Sequence, residues 1–154
     1  MNHAHHAAQP SVTRQALDAT RHCLTGCAIG EIVGLVISGA LGLTTEASVV
    51  AGIVLAFVFG YSLTFVPLLR GGMALGQAVG LTAAADTISI VVMEAVDNLI
   101  VVLVPGAMAA GLGDPLFWGS LAVGLVIAFA AAFPVNRWLI ARGRGHAVVH
   151  GAHG

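Results

Sequence analysis

The sequence predicts an all-α, polytopic membrane protein with four transmembrane helices and both termini in the cytoplasm. Three observations carry this. The chain of 154 residues is 58% hydrophobic and 8% charged, with a mean hydropathy of +0.95, where a soluble domain carries about a quarter charged residues. Four apolar stretches each reach the roughly 20 residues that span a bilayer. Every basic residue is an arginine, and all of them fall on one side of a four-span threading. A net charge of −1 gives no electrostatic footprint for nucleic acid.

Residues 1–19 read as a polar cytoplasmic tail with His3, His5 and His6. It lacks the short basic stretch and apolar core of a cleavable leader, so the first span is expected to stay as an anchor. Residues 20–141 form the membrane domain, and residues 142–154 a second His-containing cytoplasmic tail. The first span runs from Thr20 to Leu43, the second from Ala47 to Leu69, the third from Gln77 to Val104 and the fourth from Pro115 to Ile140. Pro105 and Gly106 end the third. Asp114 followed by Pro115 reads as an N-cap with proline at the first helical position. Pro134 is expected to kink the fourth helix, and Trp118 and Trp138 stand near its two ends, where interfacial tryptophan is favoured.

Orientation follows from arginine. Arg14 and Arg21 stand before and at the start of the first span, Arg70 follows the second, and Arg137, Arg142 and Arg144 end the fourth. The loops on the other side carry Glu46 and Asp114 and no arginine. The positive-inside rule then places both termini in the cytoplasm.

The first span contains the stretch HCLTGCAIGE, with His22 leading a series Cys23, Cys27, Glu31 at four-residue spacing. Gly26, Gly30, Gly34 and Ser38 repeat at the same interval. At about 100° per residue both series fall on one side of the helix, and small residues at this spacing let helices approach closely. Cysteine is often a small apolar filler. A carboxylate in mid-span is different: it costs several kcal/mol and is a functional-site hypothesis by default. The third span carries Asp86, Met93, Glu94 and Asp97, flanked by Thr87 and Asn98. Glu94 and Asp97 are close enough on the helix to share one ion or one proton. Counted from the expected span starts at about 1.5 Å per residue, Glu31 and Asp86 lie roughly 16 and 13 Å deep. They are therefore expected to face each other.

His22, Cys23, Cys27, Glu31, Asp86, Met93, Glu94 and Asp97 are thus candidate metal ligands, with Asn98 and Thr87 as auxiliary polar groups. Cys, His and Met suit soft or borderline ions such as Cu or Zn, and metal binding displaces protons from such ligands. His146, His150 and His153 in the C-terminal tail are candidates for metal capture.

The stretches HCLTGCAIGE, ADTISIVVMEAVDN, PGAMAAGLGDPLFW and PVNRWLIARGRGHAVVH resemble an uncharacterised family of bacterial integral membrane proteins, a domain of unknown function. The resemblance implies a four-span protein of the bacterial cytoplasmic membrane, and it implies no activity. The residues lead to the expectation of a membrane protein that binds or transports a transition-metal ion, Cu or Zn, with proton exchange, through an intramembrane Cys/His/carboxylate track. Its surroundings are the lipid bilayer and a homo-oligomer or larger membrane complex. The alternative is a non-transporting subunit or assembly factor that docks a partner through the glycine-rich helix face. No enzyme is expected: the chain holds no haem-attachment, zinc-protease, serine-nucleophile or phosphate-loop motif.

Overall fold

The computed structural model describes residues 11–142. His146, His150 and His153, the expected metal-capture residues, lie outside the described residues, as do His3, His5, His6 and Arg144. The described residues are all-α, with no strand among them. Four long helices follow one another: α1 (Val12–Leu41), α2 (Thr45–Arg70), α3 (Leu75–Leu103) and α4 (Pro115–Ala141). A short 3-10 turn, Ala107–Ala109, lies between α3 and α4.

Local chemistry sets the ends. Ser11 accepts from the Arg14 amide at 3.3 Å and starts α1, and Thr44 accepts from Ala47 at 3.3 Å and starts α2. Asp114 accepts from the Leu116 amide at 2.8 Å, with Pro115 at the first helical position, as the sequence predicts. Gly42 terminates α1 at φ 64°, and Gly106 sits at φ 85° in the turn after α3. A side chain would be strained at either position.

The helices alternate in direction. Gly26, Gly30 and Gly34 of α1 meet Gly60, Ala56 and Gly52 of α2 in antiparallel register. A Cβ on Gly26 would stand 2.5 Å from the Gly60 Cα, and one on Gly30 would fall on the backbone of Ala56. Here glycine is required for close approach. This zipper occupies the face expected to dock a partner, so that use of it is closed while α2 is in place. At the opposite end of the bundle from this pair's loop, Ala16 and Ala19 pack against Ile140, joining the start of α1 to the end of α4.

Size and polarity are sorted for a lipid surround. The fully buried side chains are mostly Ala, Cys, Ser and Thr, while Val36, Val50, Val54, Val79, Val91, Leu99, Val102 and Val126 are exposed. Association in lipid rests on close packing and hydrogen bonds rather than on hiding apolar surface. Three helices, α1, α2 and α4, are long and apolar enough to cross a membrane. α3 matches them in length at 29 residues but carries three carboxylates.

α1 departs from its expected start. It begins at Val12 rather than Thr20, because Ser11 caps it and its first turns pack on α4. Depths counted from Thr20 therefore do not hold for the polar residues of α1.

Candidate functional site

The polar residues of α1 and α3 meet in a buried seam. Cys23 and Cys27 are free thiols, each 1% exposed, and Asp86 is fully buried. The Cys23 thiol donates to Asp86 Oδ1 at 3.8 Å. One turn further, the Cys27 thiol meets the Glu94 carboxylate. A turn beyond that, the Glu31 carboxyl meets Asp97. The α1 spacing of four residues thus produces three rungs, about 6 Å apart along the axis.

The expected facing of Glu31 and Asp86 is corrected by these rungs. Asp86 stands beside Cys23, two turns below Glu31, whose partner is Asp97. The depth argument took Thr20 as the start of α1, and the true start is eight residues earlier. At about 1.5 Å per residue that displaces the reference by about 12 Å.

The inner end of the seam is closed by hydrogen bonds. Thr64 stands beside Asp86, and its hydroxyl shares a 3.0 Å hydrogen bond with His22 Nε2. Beneath, Asn136 of α4 donates to Thr20 Oγ1 at 2.9 Å and to Ser89 Oγ at 3.0 Å, joining three helices through one amide.

The outer end is open. Glu31, Glu94, Asp97 and Asn98 line a cavity of about 110 Å³, together with Ser48 and Ser120. That is room for several water molecules or an ion. Glu94 and Asp97 are 5% and 4% exposed, yet Glu94 Oε1, Asp97 Oδ1 and Glu31 Oε1 are buried without a hydrogen-bond partner. Asn98 donates to the other Glu94 oxygen at 3.5 Å. Gly124 of α4 makes space for Asp97, since a Cβ there would fall on its Oδ1.

Of the remaining expected ligands, Met93 is 1% exposed and packs in the apolar cluster with both cysteines. Thr87 turns away from the seam and shares a 2.7 Å hydrogen bond with Tyr61. Among the described residues no three of His, Cys, Asp and Glu converge into a ready-made metal site. The rungs explain this: the groups are strung along the helix axis in pairs. Sequence reasoning missed Thr64, Ser89 and Asn136. The signal was available, because any hydroxyl or amide inside an apolar span needs a partner, and of such residues the sequence reading singles out only Thr87 and Asn98.

An apolar exterior, three helices suited to crossing a bilayer and a polar interior together mark a membrane protein. The chain belongs to the family described as Domain of unknown function (DUF4396), whose model matches residues 13–145. No curated protein and no solved structure matches the chain.

Proposed function

We propose that the protein binds and moves a divalent transition-metal ion along the α1–α3 seam in exchange for protons, and that it is not an enzyme. One observation carries this reading: three carboxylates that line the outer cavity, Glu31, Glu94 and Asp97, each have a buried oxygen without a hydrogen-bond partner, and the Cys27 thiol lies beside one of them. A mixed oxygen and sulfur donor set favours zinc over the softer Cu(I). Pairs spaced a turn apart suit a hand-off between partial coordination shells better than a tight resident site. Each rung holds protons that an incoming cation displaces.

In this reading α3 is the fourth span. Its carboxylates all face the bundle, so its outer surface stays apolar. The arginine-bearing end lies in the cytoplasm of a bacterium, and the outer cavity opens on the opposite side. A four-helix bundle makes a thin conduit, so a homo-oligomer is part of the proposal.

The test is metal content. Protein purified from zinc-replete cells is expected to hold close to one zinc per chain. Cys23→Ser with Cys27→Ser is expected to lower that content several-fold, and Glu94→Gln with Asp97→Asn to abolish it. Metal-free wild-type protein that takes up no zinc on dialysis would remove the proposal.

A further inference from the structure

We infer that the cleft between the start of α1 and the end of α4 binds an anionic phospholipid, headgroup against Arg137 and Arg142 and acyl chain along the apolar floor. The cleft encloses about 460 Å³. Val12, Phe133, Pro134 and Ala141 supply its apolar walls, and Arg137 and Trp138 its polar rim. Arg142 stacks on the Trp138 ring at 4.1 Å from its centroid, which holds a second guanidinium against a residue of the rim. Such stacking leaves the guanidinium edge free for a phosphate fork.

Charge complementarity selects this occupant. Arg14, Arg21, Arg70, Arg137 and Arg142 all lie at this end of the bundle against one exposed carboxylate, Asp18, and the other end carries Glu46 and Asp114 and no arginine. The end with the cleft therefore faces a surface of negative charge, which the cytoplasmic leaflet provides. The cleft also has the two-part character of a lipid: apolar walls from Val12, Phe133, Pro134 and Ala141, and a rim that carries Arg137. A soluble phosphate would use only the rim. The inference requires that the helices span a membrane and is independent of any metal.

Trp138 lies in the cleft and reports on it. With Trp118 replaced by phenylalanine, quenching of Trp138 fluorescence is measured in bilayers containing brominated phosphatidylglycerol or brominated phosphatidylcholine. Phosphatidylglycerol is expected to quench at lower mole fraction, by about fivefold for each arginine engaged. Arg137→Gln with Arg142→Gln is expected to erase the preference. Ala141→Trp, which fills the exposed trough and keeps both arginines, is expected to reduce it; this variant is read by native mass spectrometry of retained lipid, because it adds a fluorophore. Glycerol phosphate in solution is expected not to displace the lipid. Equal quenching by the two lipids overturns the inference. So does a preference that survives the double arginine variant, or full retention in Ala141→Trp. Absence of quenching by either lipid means that the chain's own tail or a second copy covers the cleft, and equally overturns it.

Discussion

The two ends of the α1–α3 seam are built from similar residues and behave differently. At the inner end the Cys23 thiol donates to Asp86, Thr64 pairs with His22, and Asn136 ties Thr20 to Ser89. At the outer end Glu31, Glu94 and Asp97 surround a cavity, and an oxygen of each has no partner. A buried polar group that is satisfied adds rigidity, and one that is not carries a standing cost. The inner end therefore behaves as structure that must be opened, and the outer end as a site that gains by taking up a cation.

The largest expected effect separates the two ends by function. Glu31→Gln with Asp97→Asn removes two charges from the cavity. With each charge at about 4 Å worth about 4 kcal/mol at an effective dielectric of 20, zinc affinity is expected to fall at least about 100-fold. Thermal stability should hold or rise, because amides can pair where two carboxylates oppose each other. Equilibrium dialysis and detergent melting of one preparation check both halves of that statement.

The inner end should respond in the opposite sense. Asn136→Ala leaves the Thr20 and Ser89 hydroxyls without their shared donor and is expected to cost about 2 kcal/mol of bundle stability. Zinc affinity measured on the folded fraction should change less than twofold. A variant that kept full stability would show that the amide is not the brace described.

A smaller effect tests the shape of the outer end. Gly124→Ala places a methyl where Asp97 Oδ1 lies. The side chain must turn aside, at a cost of about 1 kcal/mol, with a fall in zinc affinity of about tenfold or less. Gly119→Ala on the same helix meets nothing within 4 Å and serves as its control. The smallest effect is expected for Thr87→Val, which loses the hydrogen bonds of the Thr87 hydroxyl to Tyr61 and to the Ala83 carbonyl, both outside the seam, and should cost about 0.6 kcal/mol.

Much of this arrangement is legible in the sequence. Apolar length gives the helices, Asp114–Pro115 gives the start of α4, and the four-residue spacing of Cys23, Cys27 and Glu31 gives the buried face of α1. The two interleaved series on α1 lie side by side as expected, the glycines against α2 and the ligands against α3. The register between α1 and α3 is not legible in the same way. It is set by contacts between the two helices, such as Cys23 against Asp86, and the position of an apolar segment along the chain does not report them. The division between a closed and an open end is also invisible from spacing. It rests on Thr64 and Asn136, which arrive from other helices.

Zinc flux into proteoliposomes, recorded together with internal pH, tests the central claim most directly. The account predicts saturable zinc movement through the wild-type protein with protons moving the other way, and none through Glu31→Gln with Asp97→Asn. Flux no greater than in empty liposomes, or flux undiminished in that variant, would contradict it.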